Sequence, residues 1–92
     1  MQFEWDDNKA KRNEQRKHRV SFNEAMTSFY DPRQVAFYDE DHSNYEDQEL
    51  LWGHSNQGRL LLVSYTLRSN TIRIISARCA TRQEEKDYAR GI

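Results

Sequence analysis

The stretch from Leu60 to Ala77 constrains the fold more than any other part of the chain. Leu60–Leu67 and Ile72–Ala77 are rich in aliphatic residues, and Ser69-Asn70 between them carries turn chemistry, so the pair predicts an antiparallel hairpin. Side chains along a strand alternate between faces. Arg59, Leu61, Val63, Tyr65 and Leu67 therefore point one way, and Leu60, Leu62, Ser64 and Thr66 the other. Both sets contain apolar residues, so both faces of the sheet must be at least partly covered. On the second strand Arg73 and Arg78 differ in parity and diverge unless the strand is interrupted. A site that uses both arginines requires that strand to end near Ala77.

Upstream of the hairpin the apolar period is helical. Phe22, Ala25, Met26 and Phe29 form one stripe, Ser21 and Glu24 have the spacing of a capping box, and Asp31-Pro32 stops the helix. Asp6 caps an earlier helix over 7–18 whose only aliphatic residue is Ala10, with Asn13 and Lys17 on the same side. Burial alone cannot hold that segment. Phe3-Glu4-Trp5 reads as a short strand or arm. Val35–Tyr38 and Leu50–Trp52 are further strands, separated by a polar loop, and Ser55–Gly58 is a turn. Thr81 and Glu84 form another capping box, opening a C-terminal helix that carries Tyr88. The order predicts an α+β fold: two N-terminal helices, a meander of three or four antiparallel strands, and a C-terminal helix. Residues 1–92 form a single domain.

Only 17 of the 92 residues are Leu, Ile, Val or Phe, and mean hydropathy is −1.11. Such composition signals disorder only when net charge is also high. Here 14 Lys and Arg face 15 Asp and Glu, and eleven aromatics enlarge a thin core. The balance conceals segregation. Six bases lie between Lys9 and Arg19 against one acid, and six acids between Asp39 and Glu49 without a Lys or Arg. Leu50–Gln83 holds five arginines and no acid. Fields act over roughly 8–10 Å at physiological salt, so a neutral total is compatible with local polyanion binding. Solvated faces are the plainer explanation of such runs.

No apolar run is long enough to span a membrane, and the acidic amino terminus lacks the apolar stretch of a signal peptide. Cys79 is alone, so no internal disulfide forms. A cytoplasmic protein is the expectation. Asp39, Asp41, Ser43, Tyr45 and Asp47 alternate like calcium ligands, but Asn44 replaces the required glycine and Leu50 the bidentate glutamate. His18, His42 and His54 have no partner at helical spacing, so no zinc motif, and no cofactor fingerprint, is present.

What remains is arginine on strands, one or two tyrosines, the Lys17-His18 pair and isolated carboxylates. These are the parts that metal-free RNA cleavage requires. The ribose 2′-hydroxyl must lose a proton, its oxygen attacks phosphorus, and the leaving oxygen gains a proton. Guanidinium groups suit the charge that develops on the phosphoryl oxygens. By composition alone, arginines on an exposed sheet face more often serve solubility or a partner, and Lys17-His18 at a helix end is also explained by dipole compensation.

Segment order adds to this. Phe3-Glu4-Trp5-Asp6, Lys17-His18-x-Val20-x-Phe22-x-Glu24-Ala25, Asp31-Pro32, Asp41-His42-Ser43 and Glu46 resemble the BrnT family, and so do Gly58-Arg59-Leu60-Leu61, Tyr65-Thr66, Ile72-Arg73-Ile74-Ile75-Ser76-Ala77-Arg78, Glu84 and Tyr88. The likeness covers almost the whole chain. It implies a RelE-like fold and a type II toxin, a ribonuclease that blocks translation. It also implies a BrnA ribbon-helix-helix antitoxin as partner, with operator DNA reached only through that antitoxin. No cofactor or membrane is implied. On this reading Arg59, Arg73 and Arg78 bind phosphate and stabilise transition-state charge, and Glu46, His18 and Tyr65 are acid/base candidates. Lys17 and Arg82 add RNA contacts. The chain departs from the family at Arg19, where Gly is usual, and at Gln48 and Cys79, where basic residues are common. The rival reading is a non-enzymatic subunit that binds an antitoxin and acts as co-repressor.

Overall fold

The computed structural model describes residues 1–42 and 47–91. Its strands are β1 (Gln2–Glu4), β2 (Val35–Tyr38), β3 (Glu49–His54), β4 (Leu60–Arg68) and β5 (Thr71–Cys79). The α-helices are α1 (Asp7–Arg12), α2 (Phe22–Ser28) and α3 (Arg82–Ala89). The α+β class is as expected, but the sheet has five strands in the order β1-β5-β4-β3-β2 and is mixed. The amino-terminal arm supplies the extra strand, lying parallel to β5 with Phe3 opposite Ile72. The Phe3 ring meets Phe29 at 5.2 Å, edge to face, so an aromatic contact with α2 anchors the arm.

The first helix is not one regular rod. α1 passes into a π-helical turn, Asn13–Lys17, closed by the His18 N–H donating to the Asn13 carbonyl at 3.1 Å. Asn13, almost fully buried, explains the widening. Its side-chain amide donates to the carbonyls of Val20 and Ala77, both at 2.8 Å, and its Oδ1 accepts the Ala77 N–H at 3.2 Å. Those bonds tie a segment with little apolar area to β5. At α2, Ser21 caps the Glu24 N–H at 3.0 Å, but the Glu24 side chain does not complete the expected capping box. It turns into the sheet.

β5 does not stop at Ala77; it runs to Cys79. The register pairs Ser64 with Ser76 but Tyr65 with Ile74, leaving Ile75 as an extra residue. That bulge resets parity. Ile72, Ile74 and Ala77 join the core with Leu61, Val63, Tyr65, Leu51, Val20 and the α2 stripe. Arg73, Ser76 and Arg78 lie opposite Thr66, Ser64 and Leu62, on the other face. Gly53 lets α2 approach closely: a Cβ there would sit 2.6 Å from the Ser28 carbonyl oxygen.

Candidate active site

The bulge brings Arg73 and Arg78 onto the face of the sheet away from α2. Arg73 Nη1 contacts Glu4 Oε2 at 2.9 Å, across the β1–β5 pair. Arg78 is clamped by Glu84 in a bidentate pair, Nη1 at 2.7 Å and Nη2 at 2.8 Å, while Nη1 also donates to the Cys79 carbonyl at 3.2 Å. Its guanidinium carbon lies 6.0 Å from the Trp52 ring centre. Glu84 also accepts the Thr81 N–H, which completes the expected capping box of α3. The hydrogen bonds from Arg78 lead the causes that hold the Glu84 carboxyl at a pKa of about 2. One turn later the Tyr88 hydroxyl donates to the Arg33 carbonyl at 2.7 Å, and its ring meets His54 at 5.6 Å. α3 is therefore tied to this face at both ends by polar and ring contacts, with none of its residues buried. Arg82 is exposed on its first turn.

Arg59 is on the opposite face. Its Nε donates to Glu24 Oε2 at 2.9 Å and its Nη2 to Glu24 Oε1, while Ser55 donates its hydroxyl to Glu24 Oε2 at 2.6 Å. The hydrogen bond from Arg59, then that from Ser55, keep the buried Glu24 carboxyl below its ordinary range against the opposing effect of burial. Arg59 Nη2 further reaches the Arg19 carbonyl at 3.5 Å, one residue from His18. A guanidinium has five N–H donors, and the Arg59 side chain remains 38% exposed despite these bonds.

The three arginines thus do not converge on one pocket. Arg73 and Arg78 share the α3 face, whereas Arg59 belongs with the Lys17–Arg19 segment on the helix face. Strand parity forces the split, because Arg59 lies on the odd side of β4 with Leu61. Tyr65 is not with Arg73 and Arg78 either. It is 6% exposed, packed edge to face on Phe29 at 5.0 Å, and burial pushes its hydroxyl pKa up. It is a core residue. Glu46 and the Ser43–Tyr45 part of the calcium-like spacing lie outside the described residues. Lys17 and His18 sit on and just after the π turn, which Asn13 holds against Ala77.

Both groups meet at one end of the sheet. The Ala80 N–H donates to the Leu60 carbonyl at 2.9 Å, and Leu61 pairs with Cys79, so the start of β4 and the end of β5 are side by side. Around that end lie Arg19, Arg59, Arg78 and Arg82, with Glu24 paired to Arg59 and Glu84 to Arg78. Sequence reasoning missed the clamp by Asn13 and the partners Glu4, Glu24 and Glu84. The signal for Asn13 was its place among the few candidates for burial on a weakly apolar helix. Among the described residues no three metal-binding side chains gather on one point.

Comparison with known proteins fixes first the class of fold. The chain is similar to the crystal structure of the Brucella abortus ribonuclease toxin, BrnT, with a TM-score of 0.68 and 20% identity over 89% of this chain and 99% of that one. That likeness shows a shared fold. No curated protein sequence matches the chain. Residues 5–84 match the family described as the ribonuclease toxin, BrnT, of type II toxin-antitoxin systems, and the chain belongs to that family.

Proposed function

We propose that the chain is an endoribonuclease toxin that cleaves RNA without a metal ion and thereby slows translation. The supporting observation is the hydrogen bond from Arg59 to the Arg19 carbonyl, which ties a partly exposed guanidinium to the residue that follows His18 in the chain. On this reading His18 accepts the proton of the ribose 2′-hydroxyl. The freed oxygen attacks the adjacent phosphorus, the bond to the 5′-oxygen breaks, and that oxygen takes a proton, leaving a cyclic phosphate and a 5′-hydroxyl. Arg59, with Lys17, meets the charge on the phosphoryl oxygens. Arg78, Arg82 and, farther along β5, Arg73 bind flanking phosphates on the α3 face. Glu46 is the second acid/base candidate. The partner is a BrnA-like ribbon-helix-helix antitoxin, through which alone the complex meets operator DNA, in the cytoplasm.

The test is cleavage of a defined RNA by the purified chain in EDTA. The wild type cuts; His18→Gln abolishes cutting while retaining RNA affinity. Arg78→Ala weakens binding and lowers its salt dependence by about one phosphate contact. A folded wild-type chain that leaves RNA intact in EDTA and does not slow a cell-free translation reaction refutes this function. The rival, a non-enzymatic antitoxin-binding subunit, draws on the carboxylate already held by each of Arg59, Arg73 and Arg78. It is favoured if Arg73→Ala and Arg78→Ala both preserve growth inhibition while antitoxin binding collapses.

A further inference from the structure

β2 ends the sheet, and among the described residues its outer edge has no strand partner. Its sequence, Val35-Ala36-Phe37-Tyr38, contains no charge, proline or glycine, and all four residues are exposed, Tyr38 by 50%. Edge strands are ordinarily protected by lysines, prolines, bulges or a covering element. Here a row of outward N–H and C=O groups is flanked by exposed Val35 and Phe37 on one face and by Ala36 and Tyr38 on the other. Such an edge is a template for strand addition.

The charges around it identify the occupant. Arg33 lies just before the strand, with the Asp31 carboxylate turned inward to the His54 N–H, and exposed Glu40 and Asp41 follow the strand beyond buried Asp39. β2 thus has a cationic entry and an anionic exit. An antiparallel copy of the same strand brings each entry to the other copy's exit, twice over. Two-fold symmetry about an axis normal to the sheet preserves the faces, so only residues of equal parity can oppose each other. With Ala36 on the axis, Val35 of each copy opposes Phe37 of the other, and Arg33 faces the acidic turn.

We infer that the chain self-associates through antiparallel pairing of β2 with β2 of a second copy, joining two sheets into one of ten strands. This goes beyond the ribonuclease reading and does not depend on it. Sedimentation equilibrium of the isolated full chain tests it, with a dimer dissociation constant of about 10–100 µM expected for so short a strand pair. Phe37→Lys places two cations near the axis, and Arg33→Glu faces acid with acid. Each variant weakens association about tenfold or more, while the double variant Arg33→Glu/Glu40→Lys restores it. Far-UV circular dichroism checks that these exposed substitutions leave the fold intact. A chain that stays monomeric at the highest concentration overturns the proposal, as does a dimer indifferent to both single variants. So does protection of the β2 amides from exchange by purified antitoxin but not by raised chain concentration, which assigns the edge to the antitoxin.

Discussion

Replacing Arg59 by Ala tests whether the ion pair at the start of β4 holds α2 to the sheet. In the native chain the Glu24 side chain is 3% exposed and Arg59 is 38% exposed. The variant leaves a buried carboxylate with only the Ser55 hydroxyl for compensation. Removing one partner of a fully buried pair costs about 3–5 kcal/mol. Because Arg59 is partly in water, that figure must be discounted, and we expect about 2–3 kcal/mol. A domain of this length has a total stability of about 5–14 kcal/mol, so the loss is a substantial share of it. At about 4–8 °C per kcal/mol, the melting temperature falls by about 8–24 °C.

The pH dependence carries a further signature. In the wild type Arg59 holds the Glu24 carboxyl below its usual 4.5. In the variant, burial is opposed only weakly, so Glu24 takes up a proton more readily and sheds its uncompensated charge. The stability gap between wild type and variant therefore narrows as pH falls below that usual value. Thermal melts at neutral and acid pH measure both effects. Arg59→Ala melting within about a degree of wild type at neutral pH refutes the reasoning, since about 2–3 kcal/mol cannot hide there. Arg59→Lys keeps a cation near Glu24, so a fully stable Arg59→Lys protein without RNA cleavage separates a role in chemistry from one in folding.

Glu84 is charged down to a pKa of about 2 in the folded chain, so its clasp on Arg78 stabilises fully above the ordinary 4.5 and is lost as pH falls toward 2. Urea midpoints between these limits should fall less steeply in Glu84→Gln, and an unchanged slope contradicts the assignment. Asn13→Ala strands the buried Ala77 and Val20 backbone groups and should cost about 2–4 kcal/mol in chemical denaturation, with faster exchange of the Ala77 amide. Gly53→Ala drives a methyl into the backbone of α2 and should destabilise by about 1–3 kcal/mol. A neutral result would mean that α2 can shift away without loss.

What the sequence showed and what it hid follow from the range of the interactions involved. The Leu60–Ala77 hairpin, the Phe22–Phe29 stripe and the Thr81 cap rest on contacts between near neighbours, so pattern reveals them. β1 pairs with a strand about seventy residues away, and nothing near Phe3 announces Ile72 as its partner. The bulge at Ile75 is equally silent, because one inserted residue leaves an aliphatic run looking continuous. Its effect on the site is nevertheless decisive: without it Arg73 and Arg78 would point to opposite faces. Glu24 was readable as a helix-start residue, but its side chain answers to Arg59, which arrives from a different strand. Arginine-rich strands disclosed chemistry without disclosing which side of the sheet each guanidinium occupies.

The three ion pairs also explain how a chain with so few aliphatic residues keeps its layers together. Glu4–Arg73 ties the arm to β5, Glu24–Arg59 fixes α2 beside the start of β4, and Glu84–Arg78 holds α3 to the end of β5. The first and third join elements with little apolar area to β5, and the second adds a polar tie to a helix whose Phe22 and Ala25 already lie in the core. A phosphate arriving at any of these guanidiniums meets a carboxylate already in place, and Glu84 stays ionised far below neutral pH. It must use the remaining N–H donors or displace the acid, and displacement loosens an element of the fold. Polyanion binding and local stability are therefore coupled through the same side chains. Arg59 is the least able to release its partner, because Glu24 is the most deeply buried of the three acids and would be left unpaired. Arg73, whose partner Glu4 is itself 42% exposed, gives up its carboxylate at the least cost.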